Sequence, residues 1–477
     1  MLRLLLTSFF LLFVINSVHG EVVINEFLAS NNEGIPDEDG EFHDWIEFYN
    51  HGEEPYNLRD HYLTDDAEEL EWQFPEVVIE PGEFLLVFAS GKDRKEGELH
   101  TNFRISKEGD PVVFTDERGF IIDEVAPLEL PTDHSYGRVP DGDGNWYFFE
   151  DPTPGKSNEN AEAYKEILEE PNFSRRGGMY SKGFDLEISH DKTGVEIYYT
   201  LDGSEPTPQD IKYDGKIDIE KRGKEEPGLS TIRTTSRFQD DPFGDVQKAT
   251  VIRARAFKED HLQSSISTQS YLVTEEGKDR YTLPVISLSA PSPSLFSADS
   301  GIYVKGEDEE NPNFDQRGHD WERTSNYEIF DTERDKHLNM QAGTRIHGGW
   351  TRYLPQKSLR LYARRIYGTN PMEYQLLPHK NLHEFKRVIL RNNGNIHPDD
   401  SWAWEQGASV ETYFRGGMTQ EIFRDMNFET RDYEPAILFI NGEYWGLYNI
   451  RERFDRFYFT TKYPYQSTIS LSTTPKP

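Results

Sequence analysis

The sequence predicts a mostly β, multidomain protein, with two immunoglobulin-like β-sandwiches followed by an α+β lobe. Three observations lead there. The chain has 477 residues, enough for about three domains. Hydrophobic residues make up 35% and aromatics 13%, so Tyr, Phe and Trp on strands are expected to fill the cores in place of long aliphatic helices. Short apolar runs alternating at period two recur between glycine, proline and asparagine turns along most of the chain.

Charge and cysteine content narrow the function. With 51 basic and 86 acidic residues the net charge is −35, so the protein's own field opposes nucleic acid and anionic membranes. Cationic partners or divalent ions are easier to accommodate, and the same charge serves solubility alone. Cysteine is absent, which excludes disulfides, zinc-thiolate sites and cysteine nucleophiles.

Taking the chain in order, residues 1–20 read as an export signal. Arg3 precedes an apolar run from Leu4 to Ile15, and Val18-His19-Gly20 supplies a cleavage site. No later segment is apolar enough for an integral span, so a secreted or cell-surface protein is expected. Residues 21–157 form the first sandwich. Its strands are Val22–Phe27, Asp44–Asn50, Glu83–Phe88 and Asp110–Phe114, with turns at Pro81-Gly82 and Gly109. The words Ile24-Asn25-Glu26-Phe27, Asp44-Trp45-Ile46-Glu47-Phe48 and Ser135-Tyr136-Gly137-Arg138, in that order, resemble the lamin tail domain of bacterial secreted proteins. Asp37, Glu38, Asp39, Glu41 and Asp44 gather oxygen ligands that suit calcium, but without the EF-hand spacing, and a solvated acidic loop is the expectation.

Residues 158–170 read as a short helical or extended linker before Pro171. The second sandwich, 171–275, contains Gly194–Thr207, whose alternation breaks at Asp202-Gly203, and the strand Val251–Phe257. These segments are similar to the accessory domain at the C-terminus of chitobiases and β-hexosaminidases, which implies packing or attachment and not hydrolysis. Asp202 and Glu205 lack the cleft that a glycosidase pair needs. The long charged stretch Tyr213–Gln247 is expected to be a mobile loop.

Residues 283–462 form the third module, and 463–477 a polar tail. Thr344–His347 alternates into Gly348-Gly349, and Lys357–Tyr362 alternates again, giving strand, glycine turn, strand. Glycines there let backbone N–H groups approach a phosphate, and a lysine on the next strand adds a point charge. The spacing does not fit a P-loop. Leu283–Leu288, Gly301–Val304 and Tyr327–Phe330 read as strands. Trp402–Met426 reads as a helix bent at Gly416-Gly417, and Ala436–Ile440 with Trp445–Ile450 as a hairpin across Asn441-Gly442.

Together with Trp321-Glu322-Arg323, Phe385–Asn392 and Ile440–Arg453, that order resembles the spore coat protein H (CotH) family of atypical, secreted-type protein kinases. The resemblance implies a kinase-like small lobe that binds ATP and Mg²⁺. It places Lys357 on the phosphates with Arg345, Gly348, Gly349 and Arg352 around them, and Glu452, Arg453 and Asp455 after the hinge. Glu405, Glu411 and Glu421 are candidate acid partners for Lys357. The family's catalytic and magnesium-binding aspartates lie beyond the hinge and match nothing here, so no catalytic residue and no metal ligand is assigned and negligible kinase activity is expected. Two roles stay open: a CotH-like kinase relative acting on a protein substrate, or a noncatalytic scaffold with a surface or matrix partner. The carbohydrate-processing alternative rests on the accessory domain alone.

Overall fold

The computed structural model describes residues 21–463 except 67–68, 107–108, 224–227, 236–238, 240–241, 243, 309, 332–335, 369–370, 393–414 and 427–428. The expected export signal and most of the polar tail therefore lie outside the described residues. The chain divides into two compact units, Met1–Glu166 and Ile167–Pro477. No helix among the described residues is long and apolar enough to cross a membrane.

The first unit is two antiparallel-rich sheets. Strands β1 (Val22–Leu28) and β2 (Asp44–Asn50) pair at the centre of a six-stranded sheet, and a four-stranded sheet contains Val112–Thr115 and Tyr62–Thr64. Phe48 fixes the core, meeting Phe74 and Phe114 edge-on at 5.4 and 5.1 Å. The β1–β2 register sets Glu26 opposite Glu47, both fully buried. Glu26 accepts from the Ser135 hydroxyl and from the Thr153 N–H and hydroxyl. Glu47 accepts from the Gly155 N–H, and burial pushes its carboxyl up to about 8.

The second unit holds a small sandwich and a barrel. The sandwich is a five-stranded sheet that includes Glu196–Thr200, Thr250–Phe257 and Ser267–Val273, covered by the pair Phe184–Leu186 and Ile217–Ile219. Leu186, Ile197, Ile252 and Tyr271 fill it.

Seven strands then close on themselves: β3 (Val285–Ser289), β4 (Arg323–Asp331), β5 (Lys336–His347), β6 (Ser358–Tyr362), β7 (Arg387–Arg391), β8 (Glu434–Ile440) and β9 (Glu443–Glu452). They run in the order β3-β4-β5-β6-β7-β9-β8, and β8 returns to β3 in parallel, Val285 facing Ile437. That closure was not legible in the sequence, because the pairing joins residues about 150 apart, too far for any local pattern to show. Closure removes the sheet edges and gathers Ile286, Leu288, Tyr327, Leu361, Leu438 and Tyr448 inside. The β8–β9 hairpin turns at Asn441-Gly442, both at positive φ, as its sequence predicts. Gly301–Val304 is a turn, not the expected strand, packing Ile302 and Tyr303 into the core. Of the expected helix, Arg415–Ile422 is helical, with Met418 and Ile422 exposed; 393–414 lie outside the described residues.

Candidate functional site

Period-two alternation decides which way each side chain of the glycine hairpin faces. β5 and β6 pair with Arg345 opposite Arg360 and Gly343 opposite Tyr362, and Tyr362 then faces Arg387 on β7. Residues on this register share the outer face of the barrel, while Leu359 and Leu361 point into its core. The result is a cluster of guanidinium groups around one ring. Arg345, Arg364, Arg387 and Arg360 lie 4.7, 4.9, 5.7 and 5.9 Å from the Tyr362 centroid.

Two carboxylates answer part of that charge. Glu322, its side chain 1% exposed, accepts from Arg345 Nε at 2.6 Å and from the Tyr367 hydroxyl at 2.9 Å, and pairs with Arg364 at 2.8 Å. Asp455 pairs with Arg387 at 3.2 Å while capping the helix Arg456–Lys462. Arg360 and Arg453 have no carboxylate in ion-pair distance among the described residues. Arg360 donates to Tyr362 Oη at 3.0 Å and to His347 Nδ1, which puts the imidazole proton on Nε2. Burial, then Arg360, Arg352, Arg453 and Arg391, hold His347 down to about 3. Arg453 is itself lowered by burial and by Arg360 and Arg387.

Lys357 lies elsewhere. It immediately precedes β6, with its side chain turned inward and fully buried. Its Nζ donates to the carbonyls of Arg352 and Leu354, both at 2.8 Å, 4.2 Å from the Phe314 ring centroid. Burial puts its pKa well below that of an ordinary lysine. Arg352 is likewise buried, donating to the carbonyls of Gly348, Phe314 and Gln316. Both cations thus hold the turn in shape, and a phosphate contact from Lys357 would require it to leave two carbonyls. Gly348 stands at φ +118°, and a Cβ there would meet Thr351 Oγ1 at 2.4 Å; around Gly349 the space is open.

Glu452 belongs to a separate buried network, taking the Lys380 ammonium and the Asp432 N–H. Lys380 also donates to the Tyr458 hydroxyl at 2.9 Å. Glu421 is a helix residue paired with Arg424, while Glu405 and Glu411 lie outside the described residues. Of the six nucleotide-binding candidates, the structure brings Arg345 to the guanidinium cluster and leaves Gly348 and Gly349 at the turn beside it. Sequence reasoning misses Glu322, His347, Arg360, Tyr362, Arg364 and Arg387; the alternation in Arg345-x-His347 and Arg360-x-Tyr362 signals His347, Arg360 and Tyr362, whereas Glu322, Arg364 and Arg387 join only through the fold.

The other candidates are structural. In the acidic loop of the first unit, Asp37, Glu41 and His43 offer ligand atoms within 4.8 Å of one another. The Lys92 ammonium sits among them, on Asp37 and at 2.8 Å from Asp39 and 2.9 Å from Glu41, and Arg94 pairs with Glu38 and Asp39. Burial would raise Asp37, but Lys92 and the N–H groups of Glu41 and Asp39 bring it down to about 2. Asp202 caps its own turn through the Ser204 N–H at 2.9 Å and stays below the usual carboxylate range, the wrong direction for a glycosidase acid.

Three known families match parts of the chain. The CotH kinase protein family matches residues 344–470, the Lamin Tail Domain residues 16–128, and the Fn3 associated family residues 186–271. No curated protein matches the chain. The Fn3 associated match falls within the second sandwich. The chain carries a lamin tail domain, an Fn3-associated domain and part of a CotH kinase domain.

Proposed function

We propose that the outer face of β5, β6 and β7 binds the polyphosphate of a nucleotide, in an exported relative of the CotH kinases. One observation carries this. Arg345, Arg360, Arg364, Arg387 and Arg453 converge beside Tyr362 and His347 against Glu322 and Asp455, five cations to two anions, in a chain of net charge −35. Like charges held this close and half-buried cost stability unless an anion joins them, and a triphosphate supplies about the charge in excess. Trp350, 53% exposed at the tip of the turn, offers a surface on which a base stacks.

Magnesium fits this face less well. Glu322 and Asp455 already serve arginines, and no other carboxylate among the described residues pairs with the cluster. No phosphoryl-transfer step is therefore assigned to these residues.

Calorimetric titration with ATP in low salt tests the reading. Arg360→Ala is expected to weaken binding by about tenfold or more, as loss of a charge-assisted contact does. Binding should also favour proton uptake in acid solution, because the anion offsets the arginine field that adds to burial in keeping His347 neutral; titrations in buffers of different ionisation enthalpy measure it. A wild-type protein indifferent to ATP, or an Arg360→Ala variant of unchanged affinity, removes the reading.

A further inference from the structure

The connection between β5 and β6 is held from two sides. It opens as a 3-10 turn, Trp350–Tyr353, and the carbonyls of Arg352 and Leu354 turn inward onto Lys357. Those of Tyr353 and Pro355 turn the other way, and their donors come from the Fn3-associated domain. Thr235 Oγ1 donates to Tyr353 O at 2.7 Å, and the single hydroxyl proton of Thr234 is shared between Gln239 Oε1 at 3.1 Å and Pro355 O at 3.2 Å, with both threonines buried. Four consecutive carbonyls therefore find partners, two from each side.

The segment bearing these threonines is anchored by one acid. Glu443, the first residue of β9, accepts from the N–H groups of Gly228, Leu229 and Ser230 at 3.1, 3.2 and 2.8 Å, and from the Ser230 hydroxyl. Burial works against its charge, but the Ser230 hydroxyl and the three N–H groups hold its carboxyl below the ordinary value. Residues 228–235 belong to the stretch expected to form a mobile loop. They are instead fastened to the barrel at both ends.

We propose that Gly228–Thr235 is a strap that sets the position of the 350–356 connection, with Thr234, Thr235 and Glu443 as positioning residues for the glycine turn. The effect on ATP rests on the phosphate-binding reading above; the hold on the connection does not. The strap makes the Fn3-associated domain a working part of the barrel, because the outer carbonyls of Tyr353 and Pro355 have no other donors among the described residues. Opening the strap frees Tyr353 and Pro355 and lets residues 348–356 move away from Arg360 and His347.

Hydrogen exchange followed by mass spectrometry on the full chain tests it. Thr234→Val with Thr235→Val keeps shape and removes both hydroxyls. Amides of 350–356 should then exchange on the order of tenfold faster, while β7 and β9 keep their protection. Thr→Ser at the same positions should restore slow exchange, and Glu443→Gln should reproduce the Val phenotype. Unchanged exchange at 350–356 in the Val variant overturns the strap, whatever ATP does. If exchange rises and ATP affinity falls together, the strap positions the turn for binding. If exchange rises while wild type and variant bind ATP equally well, the positioning role is overturned. If wild type binds no ATP, the phosphate reading falls and exchange alone decides the strap.

Discussion

Replacing Lys357 by Met gives the sharpest test of where that lysine's charge resides. Met keeps the stem against Phe314 and Tyr303 but leaves the carbonyls of Arg352 and Leu354 without donors. Each orphaned buried carbonyl costs about 1 to 3 kcal/mol, offset in part because Met has no amine to desolvate, so a loss of roughly 2 to 3 kcal/mol at neutral pH is expected. Linkage sets how the gap varies with pH. The folded-state pKa of Lys357 lies well below 10.5, so across the window between the two values the unfolded chain binds one more proton than the native one. Wild-type stability gains from Lys357 as pH rises through that window, by up to about 1.4 kcal/mol per pH unit, and the Met variant cannot follow. The measurement is urea unfolding of both proteins at pH 7, 8 and 9, read as a difference so that tyrosines and other lysines cancel. A gap that widens with pH supports a buried amine bound to two carbonyls. A gap that stays flat or narrows means an ordinary solvated lysine, and the reasoning about the turn fails with it.

Three further outcomes follow from buried charge. Glu322→Gln strips the acid from Arg345 and Arg364, and about 3 kcal/mol of barrel stability should be lost by denaturant titration, with salt recovering little because the site is shielded. Glu47, raised to about 8 from 4.5, stabilises the first unit fully below pH 4.5 and loses that contribution as pH rises through 8, on the order of 5 kcal/mol at most. Exchange of the β1 and β2 amides should therefore quicken between pH 5 and pH 8 after correction for intrinsic rates, and Glu47→Gln should flatten the trend. Lys92→Met leaves Asp37, Asp39 and Glu41 without their shared ammonium; the variant should melt lower than wild type and recover with millimolar calcium, whereas a calcium shift in wild type would contradict an internally satisfied loop.

Local chemistry wrote much of this protein plainly. The runs at Val22–Leu28, Asp44–Asn50 and Thr250–Phe257 are strands, as short segments rich in β-branched and aromatic residues between turn signals predict, a rule that needs no distant partner. Asn441-Gly442 makes its turn because both residues tolerate positive φ. The strands around Gly348-Gly349 follow from alternation on either side of the turn.

What only the tertiary structure decided concerns which partner each charged group meets. An isolated Lys after a glycine turn reads as a phosphate ligand; here it faces Phe314 and two carbonyls because the loop 350–354 folds back over it. Arg360 and Arg387 look like ordinary alternating strand residues until β6 and β7 pair and set them around one tyrosine. The strap is beyond any local reading, since Glu443 meets residues more than 200 positions earlier. Sequence periodicity fixes direction along a strand, whereas burial, ion pairing and proton affinity depend on distances between segments that only the folded chain brings together.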